Sequence, residues 1–223
     1  MSLVAAAVCP HPPLLVPELA AGAASELDDL RAACRAAVAH LANASVDSLI
    51  VLGSDTTTVR RDAPFGGTLS PWGIDLTVGD PGGAQLPLSL LIGAWLIPVA
   101  RNFQSVAADA DPAECARLGR KLAGEAERVG LLVLGDGSAC RTDKAPGFFD
   151  PRAEAFDAAV AGALARADAG ALAAIDPGEA AELLAAGRAP WQVLAGAKDG
   201  DMRGELLYDS APYGVAYFVA TWA

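Results

Sequence analysis

The chain has 223 residues, 53% of them hydrophobic, which suits one α/β domain with a sizeable core and argues against disorder. The net charge is −11 and no Lys- or Arg-rich run occurs, so nucleic acid and anionic membrane surfaces are poor partners. Four widely spaced cysteines (Cys9, Cys34, Cys115, Cys140) form no CxxC pair, which argues against a zinc ribbon or thioredoxin-type site and reads as reduced thiols in a cytoplasmic protein.

Residues 3–8 are an unbroken apolar run and read as a strand buried on both faces. Cys9-Pro10-His11-Pro12-Pro13 ends it, because prolines neither continue a ladder nor start a helix here. His11 is therefore held on a stiff loop at the carboxyl end of the first strand, where open α/β sheets place ligands. A helix over 25–43 follows, with Ser25 as its cap and His40 near its end. Residues 48–53 make a second buried strand, which leads into Ser54 and Asp55. The stretch 60–72 is rich in Gly and Pro and reads as irregular. A strand over 74–78 with an inward Asp75 and a turn over 79–83 come next.

Residues 86–98 read as a buried helix; the apolar run is too short to span a bilayer. The N-terminus has no positive flank of the kind a signal peptide carries. A weaker strand over 103–107 precedes a helix opened by Asp111-Pro112 and reaching about Arg128. Residues 131–135 form the third strong buried strand, which feeds a polar loop with Asp136, Ser138 and Cys140. Helices follow over 150–167, 169–174, 178–186 and 191–197, and two strands over 206–209 and 215–220 close the chain. Buried strands alternating with helices predict a single α/β domain, with a mostly parallel central sheet covered by helices on both faces.

The strand-end loops carry His11, Asp55, Asp136 and Cys140, and Asp209 ends a late strand. If those strands are neighbours, the loops surround one pocket. Each residue has a plainer reading as well. His11 reads as a satisfied loop histidine or as a site residue. Asp55 reads as a cap beside Thr56 and Thr57 or as a metal ligand. Asp136 reads as an acceptor for loop amides or as a catalytic group. Cys140 reads as a small buried hydrophobe or as a nucleophile. No Walker A, GxGxxG or GxSxG motif is present.

Three stretches carry a resemblance to one family: CPHPPLLVPEL at 9–19, GDGSACRTDKAPGFFDPRAEAFDAAV at 135–160 and LLYDSAPYGVAYFVA at 206–220. Together they look like the class III extradiol ring-cleavage dioxygenases, the LigB-like catalytic subunits and their Memo-like relatives. The resemblance implies a single LigB-like domain, with ferrous iron held by two histidines and a carboxylate. It also implies a further histidine as acid/base on a catechol. His11 matches the first iron histidine. Asp55 stands where the second would be, and Ala139-Cys140 replaces the Ser-His pair of the acid/base loop. Asp209 falls near the acidic ligand. A His11, Asp55 and Asp209 site is harder and more anionic than the iron triad, and suits Mg2+, Mn2+ or no metal better than Fe2+.

Cys140 and Asp136 remain the catalytic candidates, and Pro12, Ser54, Ser138, Pro212 and Tyr213 the ligand-lining ones. The expectation is ring-cleavage chemistry altered or lost. The alternative is a non-catalytic protein binding a small aromatic ligand or acting as a scaffold on the same fold, and a hydrolase ranks below both. The aromatic closing strands suit a homo-oligomer.

Overall fold

The long apolar runs do become strands, and the computed structural model describes residues 2–62, 64–100 and 102–223. In chain order the elements are β1 (Ser2–Cys9), α1 (Pro17–Ala20), α2 (Asp28–Asn43), β2 (Ser48–Asp55), β3 (Val59–Asp62) and β4 (Phe65–Thr68). Then come β5 (Thr77–Gly79), β6 (Ala84–Gln85), α3 (Leu88–Leu96), β7 (Asn102–Ala107), α4 (Pro112–Ala123) and β8 (Arg128–Leu134). The last third holds α5 (Ala153–Ala165), α6 (Ala169–Ala173), α7 (Pro177–Glu182), α8 (Arg188–Ala197), β9 (Gly204–Ser210) and β10 (Tyr217–Trp222).

Seven strands form one sheet in the order β3-β7-β2-β8-β1-β10-β9. The central four, β7, β2, β8 and β1, are mutually parallel, and β3, β10 and β9 add antiparallel edges. Side chains leave the sheet alternately, so each central strand feeds two cores. Along β8, Val129, Leu131 and Val133 join the layer of α4, α5 and α8, while Leu132 and Leu134 join that of α2 and α3. Each fully buried Leu of this kind contributes roughly 1.5–3 kcal/mol of transfer free energy. The fold is thus α/β, with a largely parallel sheet and helices on both faces.

Several local expectations change. The stretch 60–72 holds β3 and β4, and β4 joins β5 and β6 in a second, three-stranded sheet; residue 63 lies outside the described residues. Phe65-Gly66-Gly67-Thr68 reads as loop because of its glycines, yet a small sheet packed on α3 needs that close approach. Asp75 lies outside β5 and is exposed. Ser25 is not a cap: residues Ala21–Leu27 form a 3-10 stretch before α2. The Arg31 guanidinium, donating to the carbonyls of Leu15 and Ala24, holds that stretch in place. Asp111 does cap α4, accepting the Ala113 N–H at 2.8 Å.

Candidate functional site

The four parallel strands end side by side, and β8 lies between β1 and β2. The loop after β8 is therefore placed to reach the loop after β1. It does so through Asp136, whose Oδ1 accepts the backbone N–H of His11 at 2.8 Å. The same oxygen lies 3.5 Å from His11 Nδ1. His11 is only 8% exposed, and its Nδ1 is buried with no hydrogen-bond partner. The prolines on either side remove backbone freedom, and the bond from the His11 backbone N–H to Asp136 fixes the loop that carries the imidazole. At the start of β10, burial first, and then the Asp136 charge, push the Tyr217 phenol well above its ordinary value and keep it neutral.

His11 lines an open groove of about 520 Å3. The walls are the end of β2 (Asp55, Thr56), the start of α3 (Leu88, Ser89) and the residues after β7 (Ala108, Asp109). Gly53 permits this arrangement: a Cβ there would lie 2.5 Å from Ser89 Oγ, so only glycine lets α3 start so close to β2. Ser89 Oγ donates to the Ser54 carbonyl at 2.7 Å and fixes the junction. A cavity of about 570 Å3 between the small sheet and α3, with Phe65, Val78 and Trp95 in its lining, is mainly apolar. The titratable groups gather instead in the His11 groove.

Asp55 ends β2 inside the groove wall, but its carboxylate is already engaged. Oδ2 lies 2.7 Å from an Arg61 guanidinium nitrogen, and Oδ1 accepts the Thr56 N–H at 2.8 Å. Arg61 also donates to Ser105 Oγ. Both partners are mostly buried, with side chains 15% and 19% exposed. Asp209 is not in this groove. It pairs across the ladder with Phe218, so it shares the face of α5. Burial, opposed by Arg141 and reinforced by Asp157, raises its carboxyl above the ordinary value.

Among the described residues, no three or more His, Cys, Asp or Glu side chains are placed to hold a metal ion. The set His11, Asp55 and Asp209 therefore does not fit a divalent metal: one carboxylate is tied to an arginine and the other sits on the far layer.

The remaining candidates divide clearly. Asp136 belongs with His11. Ser138 is fully buried, and its N–H and Oγ–H both go to Asp157, at 2.8 and 2.6 Å. Cys140 is buried with its Sγ toward the Leu183 and Gly147 carbonyls; burial, with Asp150 and Asp157, pushes the thiol up and keeps it protonated. Pro12 is buried and its carbonyl accepts the Leu15 N–H. Pro212 opens a 3-10 turn, where Tyr213 takes φ 60° and donates its hydroxyl to Glu26 Oε2 at 2.7 Å. Sequence reading missed Arg61, Ser89, Asp109 and Tyr217. Only the acidic and basic pair Asp55 and Arg61, on adjoining polar stretches, offered a signal.

No family model matches the chain, and no curated protein matches it. It is similar to the crystal structure of an uncharacterized protein, JW3007 from Escherichia coli K12, at 13% identity and a TM-score of 0.55. The match covers 98% of this chain and 99% of that one. The likeness is one of fold. Among the described residues no helix is long and apolar enough to cross a membrane.

Proposed function

We propose that the chain binds a small organic ligand, aromatic in the simplest case, in the groove beside His11, and that extradiol ring cleavage is lost or strongly reduced. The observation that supports this most is His11 itself. Its Nδ1 is turned to Asp136, which leaves Nε2 as the ring nitrogen available to a ligand. The groove volume falls within the range of about 300–1,000 Å3 common for small-molecule sites.

The resemblance to ring-cleaving dioxygenases supplies the fold and the first histidine but not the rest of the centre. Asp55 is neutralised by Arg61, and Cys140 stands in place of the acid/base histidine as a buried thiol. A missing proton-transfer group alone costs about a hundredfold to ten-thousandfold in rate. A hydrolase draws no support from Ser138 or Cys140, since neither hydroxyl nor thiol is free to attack.

The test pairs two assays on the purified full chain. A panel of small phenols and aromatic acids is screened by thermal shift with wild type and His11→Ala; hits that vanish in the variant support the reading. Oxygen uptake with protocatechuate and related catechols is measured with Fe2+ supplied. Rapid, iron-dependent ring opening abolished by His11→Ala would overturn it.

A further inference from the structure

We infer that Arg188 is a positioning residue of the His11 groove: its guanidinium holds the Ala108–Ala110 turn by two carbonyls and so sets Asp109 in the wall that a ligand meets. The inference rests on the ligand-binding reading and names a residue that shapes the site without lining it. Arg188 opens α8 and is 3% exposed. Its guanidinium donates to the carbonyls of Ala108 and Ala110 and to Gln192 Oε1. Ala108 and Asp109 are groove wall.

Two sets of bonds hold this turn. The first ties it to the end of β2 and the residues after it. The Ala108 N–H donates to the Asp55 carbonyl at 2.8 Å, and the Ala107 N–H to Thr58 Oγ1 at 2.9 Å. The second is the grip of Arg188 on the Ala108 and Ala110 carbonyls. Asp109 comes between those two carbonyls, is exposed, and makes no hydrogen bond or ion pair among the described residues. Its place in the wall is therefore set by the backbone on either side of it. Arg188 is itself held in place. Gln192, one helical turn on, accepts from it at 3.0 Å and donates to the Ala173 and Ile175 carbonyls at 3.2 and 2.9 Å.

Plain packing does not account for an arginine here. Among the described residues no carboxylate pairs with Arg188, so a full charge is buried against neutral acceptors alone. Burying such a charge is costly, and an apolar side chain of similar volume often serves stability as well or better. What the guanidinium offers instead is a fixed fork of donors that meets two carbonyls at once, which neither an apolar chain nor a lysine reproduces. Buried groups that fix the loops around a site raise affinity by holding it in its binding shape.

The experiment compares the wild-type full chain with Arg188→Met and Arg188→Lys, and with Ser138→Ala as a destabilised control away from the groove. Amide hydrogen exchange is followed by NMR. Phenol, benzoate and the other small phenols and aromatic acids that bind wild type are titrated by calorimetry. In Arg188→Met the Ala108 and Ala110 amides are expected to exchange about tenfold faster while the amides of β1 and β8 do not change, and the bound probe is expected to weaken about tenfold. Ser138→Ala is expected to leave both readings at their wild-type values. Arg188→Lys keeps the charge without the fork, is expected to fall between, and decides the matter if Arg188→Met does not fold. Unchanged exchange at Ala108 and Ala110 would overturn the inference. So would a probe that binds the arginine variants as tightly as wild type, and in both cases the ligand-binding reading stands. If no probe binds wild type, that reading falls and takes the inference with it.

Discussion

The carboxylate of Asp55 and the guanidinium of Arg61 meet at 2.7 Å in the wall of the His11 groove. The pair spans β2 and the edge strand β3, and both side chains are largely shielded from water. A shielded pair of this kind depends on both members, because either one alone is a charge left without its partner. A double-mutant cycle with Asp55→Ala and Arg61→Ala, read by urea unfolding, is expected to give a coupling of about 1–2 kcal/mol. A coupling near zero would mean that the two side chains do not hold each other.

Ser138 and Asp157 form a second buried junction, which clamps the loop after β8 to α5. Asp157 accepts two bonds from Ser138 and one from Arg141, so Asp157→Ala strands several donors at once. We expect a loss of about 3 kcal/mol, and about 1 kcal/mol for Ser138→Ala, with ligand binding retained by the Ser138 variant. Chemical denaturation and a binding titration on each variant check both halves.

Asp209 sets a pH dependence with a definite sign. Its folded carboxyl is raised above the ordinary value, chiefly by burial, so the folded state binds the proton more tightly than the unfolded chain. Its contribution is complete below the unfolded carboxylate value of about 3.9 and is lost as pH rises through the higher folded value. Asp209→Asn is expected to remove that fall. Unfolding curves between pH 3 and 7, compared for wild type and variant, give the difference directly; a contribution that grows with pH would reverse the sign.

All four cysteines are buried and free. An exposed-thiol reagent is expected to label essentially none in the native protein and all of them in denaturant. Fast labelling of Cys140 in the native state would revive it as a nucleophile, since a protonated, shielded thiol reacts slowly.

Leu184 is held at φ 55° while half exposed. That conformation crowds a Cβ, and Leu184→Gly is expected to raise stability by about 0.5–1 kcal/mol, read from a thermal or urea transition.

The sequence was most legible where one residue's neighbours along the chain decide its fate. The apolar runs of β1, β2 and β8 announce buried parallel strands, and Asp111-Pro112 announces the start of α4. His11 was legible for the same reason, because the prolines beside it fix its loop. What stayed hidden depends on contacts made across the fold. Arg61 meets Asp55 only because β3 folds back along β7. Asp209 looks like a ligand in sequence, yet its register opposite Phe218 turns it to the α5 layer. Ser138 and Cys140 sit in a loop that reads as open, but Asp157 and the Leu183 carbonyl close over them. The small sheet was masked by the glycines that allow its close packing.

The central claim is that Arg61 removes Asp55 from metal chemistry and leaves a groove in which His11 meets a small ligand directly. The most direct measurement is a Mn2+ titration of the chelator-free full chain, run alongside ligand binding with and without EDTA. We predict no stoichiometric metal, and His11-dependent ligand binding that EDTA does not change. One equivalent of tightly bound metal, lost in His11→Ala and in Asp55→Ala, would contradict the account.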